Sequence, residues 1–205
     1  MIIRPSVAEV PLQNLIDHTV QRLFQALHKE VLPYIGLRGY FSVTHKWGGD
    51  GSSNHSQYKM TFSEEVEGEL QLYNDSHIFL ICLVPLRITF HSEDGTEALV
   101  WNNDLPSSVT LCRVIKMIFQ KENANLTKRE MFSIKEQFDT LNPTKFEVNN
   151  CEVVVESKGK MSMVDGKVLN DMTDTHSQAC HLCGASGKAL SSAIEAKILD
   201  NPSDF

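Results

Sequence analysis

The sequence predicts an α/β (α+β) layer fold, a mixed sheet with flanking helices. Three observations carry this. Residues 8–31 place Leu12, Leu15, Ile16, Leu23, Phe24, Leu27 and Val31 at helical spacing among largely polar neighbours. Residues 78–90 form an apolar, β-branched and aromatic run that reads as a strand buried on both faces. Thr127-Lys128-Arg129-Glu130 has the form of a capping box, and Met131, Ile134, Phe138 and Leu141 then mark one helical face. Strands interleaved with helices build layered folds. In such sheets the reactive groups gather at strand ends.

In chain order, the first helix is expected over 8–31 and ends at Pro33. Residues 39–47 follow as a strand by composition, broken at Gly48-Gly49-Asp50-Gly51. A weakly alternating strand is expected at 57–62, then a solvated acidic stretch at 64–69. The strand at 78–90 carries Pro85 as a break, residues 99–101 pair with it, and 111–119 add a further strand. The second helix closes at Asn142-Pro143. Residues 146–156 read as one strand centred on Val153-Val154-Val155, residues 160–164 as a short strand ending at Asp165, and 188–199 as a helix before a frayed tail. Three regions are expected: an N-terminal helical segment at 1–36, a core at 37–170 and a cysteine-bearing segment at 171–205.

The 205 residues suffice for one large domain, or one domain with an appendage. With 41% hydrophobic and 22% charged residues, the composition is that of a soluble globular protein. The net charge of −7 speaks against a free-standing nucleic-acid binder with a basic face. It is compatible with a catalytic core, because metal-holding carboxylates add negative charge. Five cysteines, an odd and sparse set, do not make a secreted disulfide framework. The start lacks a signal-peptide pattern, and the apolar stretch at 78–84 is too short to span a bilayer. A reducing, intracellular setting without membrane partners is expected.

Two aspartates next to apolar runs are each followed by glycine, Asp50 and Asp165. Carboxylates at the ends of adjacent strands are what two-metal phosphoryl chemistry requires, with ions about 3.5–4 Å apart. Magnesium needs few protein ligands because it keeps several waters. Asp-Gly is also the commonest turn dipeptide, so a plain hairpin loop is the competing reading. Cys180-His181-Leu182-Cys183 supplies half of a structural zinc site, with His176 the better of the two local candidates to extend it. Metal-free thiols or a redox pair are the alternatives. Cys82, Cys112 and Cys151 sit in apolar or strand-like contexts and are read as structural. Around Asp50, His45 and His55 either touch DNA or a metal-bound water, or are ordinary surface histidines. Trp47 is read as a core anchor. Lys46, Lys59 and Arg113 are candidate phosphate contacts, alongside a solvated-face alternative.

Lys46-Trp47-Gly48-Gly49-Asp50-Gly51-Ser52-Ser53 resembles the Lys-Trp-Gly-x-Asp-Gly-Ser-Ser segment of Transib-type DDE transposases, relatives of the V(D)J recombination-activating catalytic core. Trp101-Asn102-Asn103, Pro106-Ser107-Ser108 and Cys112-Arg113 are similar to a second segment of that family. Met163-Val164-Asp165-Gly166-Lys167-Val168 and Cys180-His181-Leu182-Cys183-Gly184-Ala185-Ser186 are similar to a third. The three occur in family order over about residues 40–188.

The resemblance implies a ribonuclease-H-like core, here truncated to its front half. It implies metal-dependent DNA nicking and strand transfer at transposon inverted-repeat ends, nuclear localisation, and a homodimer in the full-length family. Asp50 and Asp165 match the first and second catalytic aspartates and would hold Mg²⁺ or Mn²⁺. Cys180 and Cys183 match half of a Zn²⁺ site. The family's catalytic glutamate and its distal histidine pair lie further along, and Glu195 stands too early to be that glutamate. The expectation is therefore a fragment of a transposase core, inactive alone in strand transfer. The alternative is a non-enzymatic, transposon-derived DNA- or protein-interaction module.

Overall fold

The computed structural model describes residues 2–4, 7–53, 77–175 and 180. In chain order the elements are β1 (Ile2–Arg4), β2 (Val7–Glu9), α1 (Leu12–Ala26), α2 (His28–Val31), β3 (Gly39–Ser53), β4 (His77–Ser92), β5 (Glu97–Asn102), β6 (Arg113–Ile118), α3 (Ala124–Asp139), β7 (Thr144–Val148), β8 (Cys151–Met161) and α4 (Gly166–Thr173). The strands form one mixed sheet in the order β1-β2-β6-β4-β3-β8-β7, with β5 also on β4. Every pairing is antiparallel except that of β3 with β8. The α/β layer class expected from the sequence is what the chain adopts.

Alternation along the strands gives the sheet two different faces. Phe41, Val43 and Trp47 of β3 and Phe79, Ile81, Leu83 and Ile88 of β4 are buried. They meet Ile16, Val20 and Phe24 of α1 and Met131, Ile134 and Phe138 of α3 in a single core. Phe24 packs edge-on against Phe41 at 5.1 Å, and Trp47 stacks on Phe138 at 5.5 Å. Trp47 is thus the core anchor the sequence suggested. On this same face Lys116 of β6 reaches Glu130 of α3 at 2.6 Å and Glu9 of β2 at 3.3 Å, tying the N-terminal strand to the helix layer. The other face carries Ser42, Thr44, Lys46, Gly48 and Asp50 from β3.

Several elements differ from expectation, each for a physical reason. The first helix begins at Leu12 rather than residue 8, because Val7–Glu9 pair with β6 and Pro11 holds an extended conformation at the N-cap. Strand β3 does not break at Gly48. It runs on to Ser53, paired throughout with β4, with Asp50 opposite Leu80. Helix α3 is capped by Asn123, whose Oδ1 accepts from the Leu126 N–H at 3.0 Å. Thr127 is inside that helix, fully buried, and is not its cap.

The strand expected at 146–156 is a hairpin. Asn149 and Asn150, at φ 51° and 63°, make the left-handed two-residue turn between β7 and β8. Strand β8 then extends to Met161 and takes in only Lys160 and Met161 of the short strand expected at 160–164. The expected strand at 57–62, the acidic stretch at 64–69, the helix at 188–199 and the tail lie outside the described residues. Among the described residues no helix is long and apolar enough to cross a membrane.

Candidate active site

Parallel pairing fixes the geometry around the two aspartates. Trp47 of β3 lies opposite Met161 of β8, both strands running the same way. Asp50 follows three residues beyond Trp47, and Asp165 four beyond Met161. Both therefore lie toward the same end of the sheet, Asp50 within β3 and Asp165 just beyond β8. The chain leaving β8 bends over β3, and the backbone oxygen of Trp47 accepts from the N–H groups of Ser162 and Met163 at 3.0 and 3.1 Å.

The glycines of the first motif serve close approach rather than a turn, since none of Gly48, Gly49 and Gly51 has a positive φ. A Cβ on Gly48 would stand 2.0 Å from the Met163 carbonyl oxygen, so only glycine admits the crossing segment. A Cβ on Gly51 would stand 2.3 Å from a carboxylate oxygen of Glu122. Asp50 itself is exposed, on the face opposite Gly51.

Asp165 is also exposed and has a structural task. Its Oδ1 accepts from the Val168 N–H at 2.8 Å and caps α4, while the Val168 side chain is fully buried. The second oxygen of Asp165 remains available for a ligand. Helix α4 was not anticipated from the sequence, although Asp-Gly-Lys-Val placed just before an apolar face is a usable N-cap signal.

Glu122 was not singled out in the sequence. It lies just before α3, with its side chain 10% exposed, and pairs with Lys167 of α4 at 2.6 Å. Its Oε1 is buried without a hydrogen-bond partner among the described residues. An orphaned buried carboxylate oxygen is costly unless a cation or water completes it. Gly51, Glu122 and Lys167 thus link the tip of β3 to the helix that Asp165 caps. For a divalent ion the fit is partial. Asp50 is exposed within β3 and Asp165 is exposed at the start of α4, while Glu122 sits across the sheet from Asp50, under Gly51 and paired with Lys167. Yet among the described residues no three His, Cys, Asp or Glu side chains converge on one point.

The remaining candidates separate. Lys46 lies on the same face of β3 as Asp50, half-buried. Arg113 does not join them. It lies opposite Leu83 on the helix-covered face, and its Nη1 donates to the backbone oxygens of Thr110 and Cys112 at 3.2 and 3.0 Å. His45, read from the sequence as either a site residue or a surface histidine, is neither: it is fully buried in β3 beneath the helix layer. Its Nε2 is 3.3 Å from Ser157 Oγ, and burial lowers its pKa to about 3. Cys82 is buried next to Cys112, and burial pushes its thiol up to about 12, as suits a structural cysteine.

Cys180 is described, but Cys183, His176, His181, His55 and Lys59 lie outside the described residues, so the zinc half-site is not visible as a unit. No protein-family model matches the chain, and no curated protein matches it.

Proposed function

We propose that the chain corresponds to the front half of a DDE-type transposase or recombinase core, descended from metal-dependent DNA cleavage and strand transfer. The observation that carries this is the parallel pairing of β3 and β8, which brings the two motif aspartates to one end of one sheet. The order of elements supports a ribonuclease-H-like core. Strands β3, β4 and β6 form a consecutive antiparallel set, α3 crosses over, and β8 returns parallel to β3.

In this reading Asp50 and Asp165 would hold Mg²⁺ or Mn²⁺, which would supply activation of water and charge neutralisation at a phosphoryl group. The chain's own part is positioning. Gly48 lets the chain leaving β8 cross close over β3, the α4 cap orients Asp165, and the Glu122–Lys167 pair ties the Gly51 end of β3 to α4. Cys180 and Cys183 would belong to a structural zinc site. The DNA substrate would be a transposon inverted-repeat end, met in the nucleus by a dimer.

One observation favours a second reading. Three carboxylates do not converge among the described residues, and catalysis tolerates little misplacement of its groups. The alternative is a transposon-derived module that binds DNA or protein without cutting.

The deciding experiment is Mn²⁺-dependent nicking of hairpin or inverted-repeat DNA, run beside Mn²⁺ binding followed by electron paramagnetic resonance. The enzymatic reading expects Mn²⁺ to bind and slow nicking to appear, both lost in Asp50→Asn. Nicking that survives in Asp50→Asn would remove this site from the chemistry. Absence of both binding and nicking would leave the non-catalytic module.

A further inference from the structure

The sheet face opposite the main helix layer carries cations that no acidic group neutralises among the described residues. Lys46 of β3 and Lys160 of β8 are direct register partners, as are Thr44 and Lys158. The β4 partner of Thr44 is Arg87. Paired residues share a face, and Phe41, Val43 and Trp47 turn into the core, so Lys46, Arg87, Lys158 and Lys160 all stand on the face of Asp50. Arg87, Lys158 and Lys160 are exposed, and Lys46 is half-buried. Among the described residues none of the four forms an ion pair. Glu156, the partner of Ser42, and further along the paired Glu152 and Glu147 share the face but form no ion pair with any of them.

Like charges placed directly opposite in a sheet work against the pairing of their strands. Lys46 and Lys160 are one such pair, and with Arg87 and Lys158, both opposite Thr44, they put four cations within three adjacent strands of a chain of net charge −7. The natural complement of this patch is a polyanion. Asp50 stands on the same face four residues beyond Lys46, about 13 Å along the strand.

We propose that Lys46, Arg87, Lys158 and Lys160 form a track for the sugar–phosphate backbone of a nucleic acid. The binding surface stands on register and charge alone. Only its direction, leading toward Asp50, rests on the catalytic reading above. The track engages phosphates, so it holds and orients a strand without reading its sequence.

The test is a salt titration of binding to a fluorescent DNA duplex and to a single strand. Each phosphate-binding cation removed should flatten the slope of log K against log salt by about 0.9 for duplex and 0.7 for single strand. Lys158→Glu/Lys160→Glu should weaken binding at least tenfold and flatten the slope by about 2. Arg22→Glu/Lys29→Glu, which places the same charge change on α1 and α2, should leave both unchanged. Equal weakening in the two double variants would overturn the track, as would binding too weak to detect at low salt. So would a polyglutamate that competes as well as DNA, which would make the partner an acidic polypeptide. Nucleic-acid binding through the patch without Mn²⁺-dependent nicking would leave the track standing and sink the catalytic reading. Nicking untouched by Lys158→Glu/Lys160→Glu would sink the track alone.

Discussion

Gly48 and Met163 meet backbone to backbone: β3 and the chain leaving β8 approach so closely that a single added methyl group would stand 2.0 Å from the Met163 carbonyl oxygen. This crossing lies between Trp47 and Asp50 on one strand and just before Asp165 on the other, and it tolerates no side chain.

Gly48→Ala should therefore push the crossing segment off β3. The obstacle is backbone, which cannot swing aside, and overpacking of this kind costs about 1–3 kcal/mol. Urea denaturation should show the destabilisation. Gly51→Ala meets the flexible Glu122 side chain instead and should cost less. A Gly48→Ala variant as stable as the parent would mean that the crossing is looser than described.

Asp165 combines an N-cap with a candidate metal ligand, and two substitutions separate the roles. Asp165→Ala removes the hydrogen bond to Val168 and should cost about 0.5–2 kcal/mol. Asp165→Asn keeps a capping oxygen and should be nearly neutral in thermal melts. Both should weaken Mn²⁺ binding, since both remove the charge. If Asp165→Asn binds Mn²⁺ like the parent, Asp165 serves α4 only.

The pair of Glu122 and Lys167 is unequal. Glu122 is 10% exposed at its side chain and Lys167 56%. Lys167→Met strands a largely buried carboxylate, at a cost of about 1–3 kcal/mol. Glu122→Gln leaves a lysine that water can solvate, and should cost less. Chemical denaturation of the two variants should rank them in that order. The opposite ranking would mean that the ammonium, not the carboxylate, depends on the pairing.

His45 predicts acid lability. Its folded pKa lies near 3, lowered by burial, against about 6.5 in an unfolded chain. The unfolded state binds the extra proton between these values, so stability falls as pH drops below about 6.5, by up to about 1.4 kcal/mol per pH unit. The contribution is full above about pH 6.5. His45→Gln should flatten this slope in melts taken from about pH 7 to about pH 4. An unchanged slope would assign the acid sensitivity to other groups.

Most of this fold was legible where periodicity was long. The apolar spacing of Ile16, Leu23 and Phe24 and the run from Ile78 to Phe90 gave α1 and β4 because burial decided both pattern and structure. Gly48-Gly49-Asp50-Gly51 reads locally as a turn because propensity favours one there. An unbroken ladder with β4, invisible in the local sequence, overrides that preference. The hairpin at Asn149-Asn150 carried a readable signal, since asparagine accepts positive φ, but the flanking valines masked it. In the site, Asp50 and Asp165 stood out by motif. Glu122 did not, because its importance comes from a bare glycine on β3 and a lysine on α4, both distant in sequence.

The parallel neighbour of β3 is synthesised only after β4, β5, β6, α3 and β7. A nascent chain on the ribosome thus displays β3 long before β8 can pair with it. Pairing of such distant segments is slow and comes late in folding. The β3–β8 pairing, and the crossing of Met163 over Gly48 that depends on it, is thereby held back until nearly all of the sheet around it has been made.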